Sequence, residues 1–190
     1  ADTVYPVLWV DALYEKVRVD GRIVSMAILI VCGVDENGHR DIITVEPMAE
    51  ESKSSYGVLF QNLKDHGLFT PKLIISDAHS GLVSAIRESF PSASWQRCKV
   101  HFMRNILVYV PQKEKKAFAE TLKEIWLVPT AEFARKQAYD VIDSYAKRFP
   151  NESSYVRLVT TYLMEYAEDW SVSRAYLSQK SIAATLLVAA

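Results

Sequence analysis

The sequence predicts an α/β protein in which a mixed β-sheet with helices is followed by a region of helices alone. The first part of the chain is dense in Val, Ile and aromatic residues and contains turn signals, which is typical of antiparallel strands. A short apolar segment then lies between two segments with helical spacing, which favours a buried parallel strand. From Val100 onward the chain is rich in Ala, Leu, Lys and Glu and is divided by prolines, which indicates a helical array.

The first strands are predicted to form an antiparallel, three-stranded meander. Strand-forming residues fill four runs, at residues 7–14, 15–19, 23–34 and 40–46. Asp20-Gly21 separates the second run from the third, and residues 35–38 separate the third from the fourth. Both separators have the composition of tight turns, so the strands are expected to be neighbours in one sheet.

The next four elements alternate between helix and strand. Residues 50–66 have apolar side chains at helical spacing, and Gly67 follows as a C-terminal stop. Residues 72–76 are too short and too uniformly apolar for an amphipathic helix, so they are predicted to form a buried parallel strand. A second helix is predicted at residues 80–90, and a short fifth strand at residues 92–97.

The helical array is predicted in four segments, at residues 100–109, 113–127, 130–148 and 152–169. Pro111, Pro129 and Pro150 lie between these segments, where proline breaks a helix or starts one. The last residues, SIAATLLVAA, have no charged and no aromatic side chain. We therefore expect the C-terminal end to be truncated or to come from a shifted reading frame.

Composition favours a folded domain in a reducing compartment. A chain of 190 residues with 49% hydrophobic residues can bury a sizeable core. Its longest apolar run, at residues 26–34, is much shorter than the roughly 20 residues of a membrane helix. Cys32 and Cys98 do not form a disulfide framework, so a cytoplasmic protein without a membrane partner is expected.

Positive charge is concentrated in one segment of a chain whose net charge is -1. No Asp or Glu occurs between Ser89 and Lys113. The cations of this segment are Arg97, Lys99, Arg104 and Lys113, and His101 can add to them. Taken alone, such a stripe fits either a solvated helix face or a phosphate-binding surface.

Two aspartates stand out against the predicted topology. Asp11 lies within the first strand among apolar residues, and Asp77 ends the fourth strand, at the edge where open α/β sheets bind their ligands. If these strands are neighbours, the two carboxylates converge and offer the hard oxygen ligands that Mg²⁺ or Mn²⁺ prefers. The alternative is structural, because single aspartates at strand ends are often caps or turn formers.

Four motifs in order carry a family resemblance: WVDALYEKVR around Asp11, EESKSSYGVLFQNLKDHGL, LIISDAHSGLVSAI around Asp77, and FPSASWQRCKVHFMRN. They resemble the catalytic domain of Mutator-type bacterial transposases, closely over residues 5–110 and loosely in the helical part. The resemblance implies a ribonuclease-H-like fold with an α-helical insertion after the fifth strand. The catalytic core is then expected over residues 1–98 and the insertion region over residues 99–190.

The same resemblance implies DDE-type, divalent-metal-dependent cleavage and strand transfer of transposon DNA at its terminal inverted repeats. Asp11 matches the first acid and Asp77 the second, so both are expected to be catalytic metal ligands for Mg²⁺ or Mn²⁺. Cys98 and His101 match the family's Cys-x-x-His signature. His101 is expected near the metal site, in contact with the scissile phosphate or a water on the metal, with Cys98 packed beneath it.

Alternatives remain for this motif and its neighbours. Cys-x-x-His supplies half of a tetrahedral zinc site, and a structural role as a core cysteine and a hydrogen-bonded histidine is also open. With the resemblance, the expected DNA-binding residues are Arg97, Lys99 and Arg104 as phosphate contacts and Asn105 as a hydrogen-bond donor. His79 and Ser80 either orient the site or cap the following helix, and for Ser80 capping is expected.

The third acid of the family is expected in a Thr-Asn-x-x-Glu context, which this sequence lacks. Glu165 and Glu168 are interpreted as solvated-face residues of a helix. The chain begins almost directly at the first strand, so we expect the upstream DNA-binding region to be absent and the chain to be either a catalytic-core fragment or a naturally truncated transposase. One hypothesis is therefore an active strand-transfer enzyme, and the alternative is an inactive form that binds DNA or a full-length transposase, with self-association possible in either case. A ribonuclease-H-like nuclease is a weaker third hypothesis.

Overall fold

The computed structural model describes residues 4–48, 50–128 and 130–148. The chain divides into two compact units, and the division lies between Gln96 and Arg97. The strands and the first two helices belong to the first unit, while the helices that follow residue 97 belong to the second. Each unit has its own apolar core.

Three long strands form the antiparallel part of the sheet. They are β1 (Val7–Val19), β2 (Arg22–Val34) and β3 (Arg40–Met48). β1 pairs with β2 and β2 with β3, both antiparallel, so the predicted meander is confirmed. Between β1 and β2, Asp20 and Gly21 have φ angles of 48° and 78°. Two successive positive φ angles are typical of a type I′ turn, whose twist matches that of the strands it joins.

The loop between β2 and β3 is organised by one carboxylate. Asp35 accepts hydrogen bonds from the backbone N–H groups of Asn37 and His39, at 2.9 and 2.8 Å. Burial acts to raise the pKa of Asp35, but the hydrogen bonds from His39 and Asn37 outweigh it and hold this pKa below its usual range. The predicted turn at residues 35–38 is thereby confirmed, and the hydrogen bonds accepted by Asp35 are its physical cause.

Helix α1 (Lys53–Asp65) begins and ends at residues with specific capping roles. The Ser52 side chain accepts from the backbone of Ser55, and the Ser55 hydroxyl accepts from the backbone of Ser52, which forms a capping box. At the other end Gly67 has a φ of 93°, a conformation that glycine adopts without steric cost. The predicted stop at Gly67 is confirmed.

The remaining elements of the first unit are β4 (Leu73–Ser76), α2 (Ser80–Ser89) and β5 (Ser94–Arg97). β4 pairs in parallel with β1, and the strand order is β3-β2-β1-β4-β5. The mixed α/β sheet predicted from the sequence is therefore confirmed. β1 is its central strand, with β2 on one side and β4 on the other.

The apolar core of the first unit covers one face of the sheet. Alternate residues of β1 and β2, such as Leu8, Val10, Leu29 and Val31, are buried together with side chains of α1 and α2. Because successive residues of a strand point to opposite faces, Asp11 lies on the face away from this core. Its side chain is exposed, although its neighbours in sequence are apolar.

The second unit is helical over the described residues. It contains α3 (Lys99–Leu107), α4 (Lys115–Ile125) and α5 (Ala131–Arg148), which match three of the predicted segments. Their shared core includes the buried side chains of Phe102, Ile106, Phe118, Leu122 and Ala138. The fourth predicted helix, at residues 152–169, lies outside the described residues. Among the helices described, none has the length and apolarity needed to cross a membrane.

Candidate active site

The candidate site is built on the parallel pairing of β1 with β4. The register runs from Val7 opposite Leu73 to Val10 opposite Ser76. The next residue on one strand is Asp11, and the next on the other is Asp77. Since neighbouring strands lie about 4.8 Å apart, this register places Asp11 of β1 beside the point where β4 ends and Asp77 follows. The first and fourth strands are therefore neighbours, which is the condition for the expected convergence of the two carboxylates.

The two carboxylates differ in their surroundings. Asp11 is exposed and lies opposite Ile30 of β2. Asp77 is half-buried, and its Oδ1 accepts a hydrogen bond of 2.7 Å from the backbone N–H of Ala78. The described residues donate no hydrogen bond to its other oxygen. Asp77 therefore has one oxygen engaged by the turn that follows β4.

A buried serine fixes the backbone beneath Asp77. The Ser76 hydroxyl donates to the carbonyl oxygen of Asp77 at 2.8 Å and accepts from the indole N–H of Trp95 at 2.9 Å. Ser76 is 1% exposed, so both contacts replace water that the hydroxyl cannot reach. This chain of hydrogen bonds ties the end of β4 to β5.

The N-terminus of α2 follows directly, with His79 as its N-cap residue. His79 makes no side-chain capping hydrogen bond, and Ser80 is the first helical residue, so the predicted cap at Ser80 is wrong. The imidazole of His79 instead lies edge-on to the buried Tyr56 ring, with centroids 5.9 Å apart. A Cβ on Gly81 would lie 3.2 Å from the backbone nitrogen of Lys53, so α1 and α2 begin close together.

Tyr56 carries a polar contact inside this packing. Its hydroxyl donates a hydrogen bond to Oε1 of Glu51, in the segment before α1. Burial raises the pKa of Tyr56 well above its usual range, and the hydrogen bond to Glu51 and the carboxylate charge raise it further. Tyr56 therefore stays protonated and holds Glu51 against the start of α1.

The basic segment predicted to contact DNA lies in the second unit. Arg97 is 3% exposed, and its guanidinium carbon lies 5.5 Å from the Phe102 ring centroid. The half-buried Lys99 holds its Nζ 4.3 Å from the Trp126 ring centroid. Burial lowers the pKa of Lys99, and the charge of Lys123 lowers it further. Both cations thus lie against aromatic rings of their own unit.

The other predicted residues of this segment differ in exposure. Cys98 is the N-cap residue of α3 and a free cysteine, and it is half-buried. His101 and Asn105 are half-buried on α3, whereas Arg104 is exposed. Arg104 is therefore the cation among the predicted phosphate contacts that faces solvent most openly. Asp11 and Asp77 both belong to the first unit and lie on or directly after neighbouring strands, whereas the basic segment belongs to the second unit.

Comparison with known proteins identifies the family. The model of one transposase family, the Mutator family, matches residues 1–168 of this chain. The chain belongs to the Mutator family of transposases. The resemblance expected from the four motifs is thereby confirmed, and the α/β sheet order agrees with the expected ribonuclease-H-like fold class.

Two relatives show the extent of the likeness. This Mutator-family chain is 43% identical over 141 residues to the transposase for insertion sequence element IS256 in transposon Tn4001 of Staphylococcus aureus, covering 74% of this chain and 36% of that protein. It is 38% identical over 149 residues to the transposase for insertion sequence element ISRM5 of Rhizobium meliloti, covering 78% and 37%. The chain thus spans little more than a third of the length of these relatives.

Solved structures show more distant likenesses. The catalytic domain of Mos1 mariner transposase matches with a TM-score of 0.35 and 9% identity, covering 92% of this Mutator-family chain and 85% of that one. The HTLV-2 integrase catalytic core domain in complex with magnesium matches with a TM-score of 0.34 and 10% identity, covering 93% and 90%.

Several residues that shape the site in this Mutator-family chain were not predicted. Ser76 and Trp95 support Asp77, and Glu51 and Tyr56 support the start of α1. A serine at the end of an otherwise apolar strand was a signal for the first pair, since a buried hydroxyl requires partners. No sequence pattern indicated that Trp95 would be the partner of Ser76, because the two residues lie 19 positions apart in the chain.

The whole metal-ligand set, Asp11 and Asp77 included, stays a prediction. Within residues 4–48, 50–128 and 130–148, no group of three or more His, Cys, Asp or Glu side chains is arranged to hold a metal ion. Glu165 and Glu168 lie outside the described residues. Of the predicted metal ligands, Asp11 and Asp77 are placed by the described pairing of β1 with β4 in this Mutator-family chain.

Proposed function

We propose that this chain is the catalytic core of a DDE-type transposase that cleaves and joins transposon DNA at terminal inverted repeats. The observation that carries the proposal is the β1–β4 register, in which Asp11 and Asp77 follow the last pair of residues on adjacent parallel strands. Family membership supports the same chemistry. The matched relatives are much longer than this chain. That the chain carries out the cleavage and joining of a whole transposase is therefore itself proposed, and the strand-transfer assay below tests it.

The donor set at this edge fits a hard divalent cation. Asp11 offers an exposed carboxylate, and Asp77 offers the oxygen that is not engaged by Ala78. Such oxygens suit Mg²⁺ or Mn²⁺, which would be held by Asp11 and Asp77. When bound, such an ion polarises a phosphodiester and stabilises the charge that develops during cleavage and joining.

The protein's own residues prepare this edge before any metal binds. The hydrogen bonds from Trp95 to Ser76 and from Ser76 to the Asp77 carbonyl hold the backbone that carries the second carboxylate. A carboxylate held in place loses less conformational entropy on binding a ligand than a mobile one. Asp11 is held in turn by pairing of β1 with β2.

The second unit supplies the proposed phosphate contacts. Arg104 is exposed on α3 and is the first candidate, with Asn105 beside it as a hydrogen-bond donor. Arg97 and Lys99 contribute positive charge from positions packed on aromatic rings. His101 is proposed to contact the scissile phosphate, with Cys98 at the N-cap of the same helix.

Calorimetric titration of the 190-residue chain with Mn²⁺ tests the metal site without requiring activity. Asp11→Asn and Asp77→Asn should each weaken binding by at least about tenfold, because each removes one charged ligand. Glu15→Gln is the matched control, since this exposed carboxylate lies on the same face of β1, four residues further on. Equal binding by all four proteins would contradict the proposed site.

A strand-transfer assay with terminal-repeat DNA tests the reaction. Mn²⁺-dependent cleavage or joining that is lost in Asp11→Asn and Asp77→Asn establishes the proposed activity. DNA binding with a steep salt dependence but no metal-dependent turnover would instead favour an inactive transposase that binds DNA or a full-length transposase.

A further inference from the structure

The tips of β1 and β2 form a ribbon that extends beyond the rest of the sheet. Pairing of β3 with β2 ends at Met48 opposite Ala27, and pairing of β4 with β1 ends at Ser76 opposite Val10. Within the part of the chain that the structure describes, residues 15–26, here called the ribbon arm, pair only with each other, from Glu15 opposite Met26 to Val19 opposite Arg22. At about 3.4 Å per residue, five paired residues extend about 17 Å.

The ribbon arm has a defined turn and two uncovered faces. The two-residue turn at Asp20 and Gly21 closes it directly after the Val19–Arg22 pair, which fixes the register of the arm. Ile23 is 67% exposed and Val24 is 38% exposed, although they point to opposite faces. Neither face is therefore buried in the core of the first unit.

Charge is divided unequally between these two faces. Directly opposed residues share a face, so Lys16 lies with Ser25 and Arg18 lies with Ile23. This face, here called the cationic face, has two cations and no carboxylate. The opposite face carries Glu15 and Arg22, whose charges cancel.

The spacing of the two cations suits a nucleic-acid backbone. Residues two apart on one face of a strand are separated by about 6.8 Å, twice the axial spacing of about 3.4 Å between phosphates on one DNA strand. Tyr14, at the base of the same face, is 60% exposed. A two-stranded ribbon also fits the major groove of B-DNA, which is about 12 Å wide.

We propose that the ribbon arm is a DNA-binding element whose cationic face contacts backbone phosphates of duplex DNA through Lys16 and Arg18. The choice of DNA as the partner rests on the proposed function, whereas the division of charge is a property of the arm itself. The contact positions the duplex and does not read its sequence.

Two arginines near the end of the arm provide a matched test. Arg18 and Arg22 lie in the last two residue pairs but on opposite faces, so Arg18→Gln and Arg22→Gln remove the same charge from the same ribbon. Binding of the 190-residue chain to a short fluorescein-labelled duplex is measured by anisotropy over a series of NaCl concentrations, without divalent metal. Arg18→Gln should reduce the slope of log K against log[salt] by about 0.9, and adding Lys16→Gln should reduce it by about 0.9 again. Arg22→Gln should leave the slope unchanged.

Three results would overturn the proposal: equal slope changes in Arg18→Gln and Arg22→Gln, no change in either, or no duplex binding by the unmodified chain. A fall in sedimentation mass caused by Arg18→Gln would also overturn it, because the cationic face would then be a contact between copies. The Mn²⁺ titration is independent of this test. A slope change specific to Arg18 together with absent Mn²⁺ binding would keep the ribbon arm and reject the metal site.

Discussion

The hydrogen bonds that join Trp95, Ser76 and Asp77 make a specific prediction about stability. Ser76→Ala removes the hydroxyl that accepts from the Trp95 indole and donates to the Asp77 carbonyl. The methyl group of alanine replaces neither contact, so a half-buried N–H and a carbonyl lose their partner. The end of β4 should then open more often, and Asp77 should be held less firmly.

The size of the effect follows from burial. A net hydrogen bond is worth about 0.5 to 1.5 kcal/mol, and a buried group left without a partner costs about 1 to 3 kcal/mol. Ser76 is 1% exposed but Trp95 is only half-buried, so water can replace part of what the indole loses. We expect a loss of about 1 to 2 kcal/mol, which corresponds to a factor of about 5 to 30 in the opening equilibrium.

Hydrogen exchange followed by mass spectrometry measures this opening locally, which suits a chain made of two units. The peptide that contains β4 should exchange about 5 to 30 times faster in Ser76→Ala. Ser84→Ala is the control, because Ser84 is exposed on α2 and its loss should change little. In a double-mutant cycle with Trp95→Phe, additive effects would refute the coupling. Unchanged exchange in Ser76→Ala would refute the supporting role of the serine.

Three further outcomes are expected. Lys123→Gln should raise the pKa of Lys99 part of the way to its usual 10.5, because it removes the charge of Lys123 and leaves burial as the remaining cause of the lowering. NMR titration of the Lys99 side chain measures this pKa, and an unmoved midpoint would contradict the prediction. Gly21→Ala should destabilise the hairpin by about 1 to 2 kcal/mol because Gly21 has a φ of 78°, and unchanged exchange of the turn amides would contradict this strain. Tyr56→Phe should lower the free energy of unfolding by about 1.5 to 3 kcal/mol, because it removes a hydrogen bond to the Glu51 carboxylate. Urea unfolding measures this loss, and a loss below about 0.5 kcal/mol would mean that water replaces the hydroxyl.

The elements of the first unit could be predicted because their signals are local. Asp20-Gly21 requires positive φ angles that few other residue pairs adopt, and Gly67 ends α1 for the same reason. The short apolar run of β4 has too few polar residues for a surface strand. In each case a few adjacent residues contain the whole physical cause.

The part of the candidate site that could be predicted is the placement of its two aspartates, because that placement follows from the strand order. Asp11 and Asp77 were predicted to converge if β1 and β4 are neighbours, and the family resemblance implied that strand order, which the sheet has. The Trp95–Ser76 hydrogen bond joins residues 19 apart, and no local pattern indicates it. The burial of Arg97 was also missed, because a cation in a basic segment looks the same whether it faces solvent or an aromatic ring.

The continuity of β1 sets the distance between the two proposed DNA contacts on it. Asp11 and Arg18 lie on one unbroken strand, seven residues apart, so their separation along it is about 24 Å. The strand acts as a ruler, since it cannot shorten without breaking its pairing with β2. Residues an odd number apart on a strand point to opposite faces, so the two proposed contacts lie on different faces of β1 as well as about 24 Å apart. One duplex that runs straight along β1 cannot meet both, so the ribbon arm and the metal site are expected to hold different stretches of DNA. Lengthening both sides of the hairpin by two residues would move the contact made by Arg18 about 6.8 Å further from Asp11 and keep it on its own face.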